Sequence, residues 1–233
     1  MRKIASFLAA ILFILSASAH AADPNREYIV ICGGVSLHLW EKWKAAPHDG
    51  WWMNFVRASR IRIEQIQQEV GPDANITMLC YRPAYLTRSR QDNEDHVAKI
   101  NSVRDAFNIR LVYFDTTTEL ITYLNSGQPR NQVKIANLEY FGHSNKKCFM
   151  FDYSNNIDSA SKCWLHENDL GRIQRGLFTK DAFVKSWGCH SGESFSKVWR
   201  SKTGVEMIGA SGKTQYMDET LPILSSTGGR WMR

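Results

Sequence analysis

Residues 181–199 read DAFVKSWGCHSGESFSKVW. Ala182, Phe183, Val184 and Trp187 are strand-type residues, and Gly188 permits a tight exit. Ser191-Gly192-Glu193-Ser194 carries capping chemistry for a helix with Phe195, Val198 and Trp199 on its apolar side. The stretch predicts a buried strand that turns straight into a helix, with Cys189 near the helix N-terminus. Unpaired amides and the dipole there favour an anion, so the thiolate would be stabilised and the thiol activated near neutral pH. The plain alternative is a small core thiol, since free cysteine is among the most buried residue types, and the strand alone favours that reading.

A second strand upstream shifts the balance. Ile135-Ala136-Asn137-Leu138-Glu139-Tyr140-Phe141 ends in Gly142-His143-Ser144-Asn145, and His143 precedes Cys189 by 46 residues. That interval holds one crossover connection, so the two strands are expected as parallel neighbours with both residues at their carboxyl ends. Open α/β sheets place their sites at that edge. A lone histidine at a strand end is more often structural; paired with a glycine-flanked cysteine it is a candidate dyad.

The rest of the chain keeps a βα rhythm. Tyr28–Cys32, closed by Gly33-Gly34, is apolar enough to be a central strand covered on both faces. Strands are expected at 76–81, 109–114 and 204–210, and helices at 53–70, 95–107 and 116–125, the last capped by Thr116 to Thr118. Trp40, Trp43, Trp51 and Trp52 mark an aromatic-rich irregular segment, and Ser89–Asp95 reads as an exposed loop. The fold class expected is α/β, a three-layer sandwich around a mostly parallel, doubly wound six-stranded sheet.

The order and context of Phe141-Gly142-His143-Ser144 and Trp187-Gly188-Cys189-His190-Ser191-Gly192 resemble the caspase-like (clan CD) cysteine peptidases, over roughly Val133 to Tyr216. The resemblance implies a caspase-like six-stranded sheet, Cys189 as nucleophile and His143 as general acid and base. Backbone amides around Gly142, Ser144 and Gly188 would stabilise an oxyanion. Family members often have glycine directly after the histidine; Ser144 stands there in this chain. Loops beyond the sixth strand help shape the specificity pocket in similar proteins, so Asp218, Glu219 and Trp187 are candidate substrate contacts, with the two acids suited to a basic side chain. No cofactor is required, although calcium stabilises some similar enzymes and a structural calcium stays open.

Residues 1–21 read as a secretory signal peptide: Arg2 and Lys3, an apolar run from Ile4 to Leu15, then small residues ending Ala19-His20-Ala21. Residues 22–233 would then form one α/β domain, exported to the periplasm or the exterior, with no later stretch apolar enough to span a membrane. Losing Arg2 and Lys3 takes the formal charge from +6 to +4, a mild and dispersed bias. Nucleic acid as a partner would need a clustered basic face, whereas Arg57, Arg60 and Arg62 read as the solvated side of one helix.

Cysteine usage fits export. Cys148 and Cys163 bracket a polar loop and are a candidate disulfide, while Cys32 and Cys80 lie in apolar strands as core thiols. No Cys/His set has ordinary zinc spacing, so no metal site is expected, and His166 and His190 stand as bystanders. The leading expectation is a secreted cysteine endopeptidase acting on a peptide or protein substrate. The rivals are a caspase-like module that binds a peptide or protein without cleaving it, and a Cys-His acyltransferase or other thiol hydrolase.

Overall fold

The computed structural model describes residues 22–41, 51–154, 161–216 and 219–233. The expected signal segment and Asp218 lie outside the described residues, as does Trp43. In chain order the elements are β1 (Arg26–Cys32), α1 (His38–Glu41), α2 (Asn54–Val70), β2 (Asn75–Tyr81), α3 (Arg82–Asp92), α4 (His96–Phe107), β3 (Arg110–Phe114), α5 (Thr117–Ser126) and β4 (Lys134–Phe141). There follow β5 (His143–Ser144), β6 (Cys148–Met150), β7 (Trp164–His166), β8 (Phe178–Ser186), α6 (Phe195–Thr203), β9 (Gly209–Ser211), β10 (Thr214–Gln215), β11 (Ile223–Leu224) and β12 (Arg230–Met232).

Five strands form the central sheet in the order β3-β2-β1-β4-β8, every neighbouring pair parallel. Parallel strands need crossovers, and the helices that supply them cover both faces. On one face Val30, Met78 and Phe141 meet Phe55, Ile63 and Ile66 of α2, Tyr85 of α3 and Ile100 of α4. On the other, Ile29, Ile31, Leu138 and Val184 meet Leu120 and Leu124 of α5 and Phe195 and Trp199 of α6. Alternate strand residues thus feed opposite cores, which is why β1, β2 and β4 are nearly continuous apolar runs.

Two departures follow from local chemistry. The expected sixth strand at 204–210 reaches the sheet only through a single parallel bridge, Ile208 to Lys185. From Gly209 the chain pairs antiparallel with β12 instead, so the sheet proper has five strands. The segment read as an exposed loop at 89–95 is largely α3 and its cap: Pro83 sits in the first helical turn, where a missing N–H costs nothing, and Asn93 closes the helix at φ 54°. By contrast, the Thr116 side chain accepts from the Glu119 amide at 3.2 Å, the expected cap of α5. Among the described residues no helix is long and apolar enough to cross a membrane.

Candidate active site

The strand order reverses between β1 and β4: β2 and β3 lie to one side of β1, and β4 and β8 to the other. Such a reversal splays the loops at the carboxyl ends apart and opens a crevice there. Both segments singled out by sequence leave the sheet at this edge. Tyr140 pairs with Ser186 across β4 and β8, and their 46-residue offset is the offset between His143 and Cys189. The Trp187 amide still bonds the Tyr140 carbonyl at 2.9 Å, so the register carries past the last strand pair. His143 and Cys189 follow within three residues of these two neighbouring strand ends, His143 in β5, where it pairs with Met150.

Close approach, not turn geometry, explains the two glycines. A Cβ on Gly142 would lie 2.4 Å from the Tyr140 hydroxyl, and one on Gly188 would lie 2.2 Å from the Ser144 hydroxyl. Both distances are far inside contact, and in each case the crowding atom is pinned. Tyr140 donates to the carbonyls of His143 and Met150 at 2.6 and 2.9 Å, and Ser144 donates to the Cys189 carbonyl at 2.6 Å. Ser144 thus ties the histidine segment to the cysteine segment.

His143 is 6 % exposed. Its Nε2 is 3.3 Å from the Ser36 hydroxyl, its ring stacks on Tyr153 with centroids 3.8 Å apart, and the Phe55 ring meets it edge-on at 4.7 Å. Ser36 belongs to the β1 exit and bridges to Tyr153. Three segments distant in sequence therefore fix one imidazole.

Around Cys189 the structure corrects the helix-dipole argument. Residues 189–194 are turns and α6 starts only at Phe195, whose amide bonds the Lys146 carbonyl. The dipole field fades within a turn of the helix end. What reaches the sulfur instead is Thr214: its backbone N–H donates to Sγ at 3.4 Å and its hydroxyl lies 3.6 Å away. That hydroxyl also donates to the Trp187 carbonyl at 2.7 Å, locking the strand of Thr214 against the exit of β8. The sulfur also lies 3.8 Å from the Thr214 carbonyl, so one residue meets it with amide, hydroxyl and carbonyl. The next residue, His190, holds a left-handed backbone at φ 59°, uncommon outside glycine. Its amide bonds the Gly212 carbonyl at 2.7 Å and its Nδ1 meets Glu193 at 2.6 Å.

Several expected roles move. The Gly142 amide donates to the Tyr216 hydroxyl at 3.3 Å and the Gly188 amide to the Ser186 hydroxyl at 3.3 Å, so two of the three expected oxyanion donors are already engaged. Trp187 is a core side chain and not a substrate contact: its Nε1 donates to buried Glu139 at 2.8 Å and its ring packs against Phe141 and Trp231. Glu219 turns back onto α2, 3.8 Å from Arg57 and 3.7 Å from Arg60. Its charge is met by this chain's own arginines, and Arg57, expected on a solvated face, is buried with its guanidinium on the Tyr216 carbonyl.

The expected disulfide is also corrected. Cys148 and Cys163 are free thiols. The β6–β7 register sets Cys148 opposite His166, while the Cys163 carbonyl receives the Phe151 amide, which places the cysteines at opposite ends of the hairpin. Burial pushes the Cys148 thiol up to about 11. Cys32 and Cys80, paired across β1 and β2, are buried core residues.

The two histidines set aside as bystanders, His166 and His190, line a cavity of about 400 Å³ together with Asn145, Lys146, Lys147, Cys148 and Glu193, beside the turn that carries Cys189. Among the described residues no group of three or more His, Cys, Asp and Glu side chains is arranged to hold a metal ion. Ser36, Tyr153, Phe55 and Thr214 had no role assigned from sequence, although Thr214 lies in the loop beyond the expected sixth strand and Ser36 just past Gly33-Gly34 at the β1 exit. Comparison with family models, curated proteins and solved structures finds nothing that matches this chain.

Proposed function

We propose that the protein is an exported cysteine endopeptidase of caspase-like type, with Cys189 as nucleophile and His143 as general acid and base. One observation carries the reading: the two residues follow directly on the carboxyl ends of neighbouring parallel strands, beside the reversal in strand order. The Ile208–Lys185 bridge supports a caspase-like sixth position beyond β8. In the reaction the Cys189 thiolate attacks a peptide carbonyl carbon and forms a C–S bond. The C–N bond breaks as the leaving amine takes a proton from His143. His143 then removes a proton from water, the hydroxide attacks the thioester, and the thiolate departs. With the Gly142 and Gly188 amides engaged, the Cys189 amide is the donor assigned to the oxyanion.

Those engaged amides are also the observation that favours a second reading, a module that binds a peptide without cleaving it. Activated acyl esters of lysine, arginine, asparagine and aspartate separate the two. The peptidase reading expects an acyl group on Cys189 with at least one probe, located by peptide mass mapping. Cys189 unlabelled by every probe in folded protein selects the binding module. Labelling that turns over only when an amine acceptor is added selects the acyltransferase.

A further inference from the structure

The hydroxyl that meets His143 belongs to a residue that is itself held from behind. Ser36 is fully buried, and its carbonyl accepts from Nη1 of Arg88 on α3 at 3.0 Å. Arg88 is 6 % exposed, and its Nε donates to Asp92, one helical turn on, at 2.7 Å. Asp92 is gripped in turn by two imidazoles: Nε2 of His38 on one carboxylate oxygen at 2.8 Å, and Nε2 of His96 on the other at 2.7 Å. His96 is fully buried and stacks on Trp52 with centroids 4.1 Å apart. A continuous polar path thus runs from α4 through α3 to the β1 exit and ends on the imidazole.

We infer that Arg88 and Asp92 are positioning residues for His143, acting through Ser36. The inference deepens the dyad reading and rests on it for its catalytic meaning. The chemistry favours such a role. The bridge to Tyr153 holds the backbone at Ser36 from one side, and a guanidinium on the Ser36 carbonyl holds it from the other. A guanidinium so buried needs a carboxylate, and the carboxylate needs further donors to stay ionised. Burial alone would raise Asp92, but the hydrogen bonds from His96 and Arg88 outweigh it and hold the carboxyl below its usual range. The carboxylate therefore stays charged throughout the neutral range in which a histidine works. Fixing the ring orientation matters because small misplacements of a reacting group lower rates steeply.

The test uses the whole chain and two readouts, the iodoacetamide alkylation rate of Cys189 and the imidazole titration of His143 followed by NMR. Arg88→Ala is expected to slow alkylation about ten- to a hundredfold and to move the His143 titration as Ser36→Ala does. The Arg88→Ala/Ser36→Ala double variant should be no worse than either alone, because the residues act in series. Millimolar guanidinium should restore Arg88→Ala, a rescue that general loosening of the fold does not give. Arg88→Lys keeps the charge without the fork and serves if the alanine variant fails to fold; it too should shift His143. A folded Arg88 variant whose His143 titrates as in the wild type overturns the inference. If His143→Ala leaves alkylation unchanged while Arg88→Ala still moves the His143 titration, the dyad falls and the positioning path stands.

Discussion

Alanine at Cys189 is expected to abolish turnover of a peptide substrate, and alanine at His143 to lower it by several hundredfold or more, within the roughly 10²–10⁴ that a positioned acid-base group supplies. The loss should fall on kcat, because in the proposed mechanism the histidine moves protons in the transition state and contributes little to ground-state binding. The structure adds a qualification about which neighbours share the effect. Thr214 presents its amide to the sulfur and Ser36 its hydroxyl to the imidazole, so Ser36→Ala should lower kcat by less than His143→Ala, and the double variant should equal His143→Ala alone. Circular dichroism should be unchanged, since neither His143 nor Cys189 lies within the five-stranded sheet. A His143→Ala protein that keeps the wild-type kcat would remove the histidine from the chemistry.

The largest expected loss of stability lies at the opposite end of the sheet. Glu27 on β1 is fully buried, and its carboxylate takes Arg130 Nη1 at 2.5 Å, the Thr77 hydroxyl at 2.7 Å and the Tyr123 hydroxyl at 2.8 Å. Arg130 also donates to the carbonyls of Leu124 and Tyr123, tying the end of α5 to the sheet. Arg130→Ala leaves a carboxylate buried without its closest cation, a change that costs about 3–5 kcal/mol. The value should fall near the lower end, because Arg110 remains 3.6 Å from Glu27. Replacing the pair together, Glu27→Gln with Arg130→Met, should recover much of the loss, since the penalty comes from the orphaned charge. Urea unfolding reads both variants through the midpoint at constant slope. A shift worth less than about 0.5 kcal/mol for Arg130→Ala would mean that the network is not what holds this end together.

The sheet was legible because its chemistry is local. A run such as Ile29-Val30-Ile31-Cys32 must be covered on both faces, and strands ending in Gly33, Gly142 and Gly188 announce where the chain leaves the sheet. The 46-residue spacing was legible for the same reason, since it proved to be the register offset of β4 and β8. α3 was not, because its inward face is Ala84, Tyr85 and Arg88, a helix face buried through an arginine and a tyrosine rather than an aliphatic stripe. α6 starts where the sequence sets its capping residues, with Ser194 at the N-cap position, but six residues beyond Cys189, and the Ser191 hydroxyl bonds back to the Gly188 carbonyl at 3.1 Å within the intervening turn. Thr214 and Tyr153 reach the site through tertiary packing: Thr214 lies in the loop beyond the expected sixth strand, but nothing there marks its amide as the one that meets the sulfur. Glu219 shows the converse error: a carboxylate in the right loop whose charge is spent on Arg57 and Arg60.

The central claim, that Cys189 is a thiol activated by His143, is tested most directly by the pH dependence of iodoacetamide alkylation at Cys189, followed by peptide mass in wild type and in His143→Ala. The account predicts that wild-type Cys189 reacts well below about pH 8.5, the range of an ordinary thiol, and that His143→Ala moves the profile back toward it. Superimposable profiles in the two proteins would contradict the account and leave Cys189 an ordinary thiol at the end of a strand.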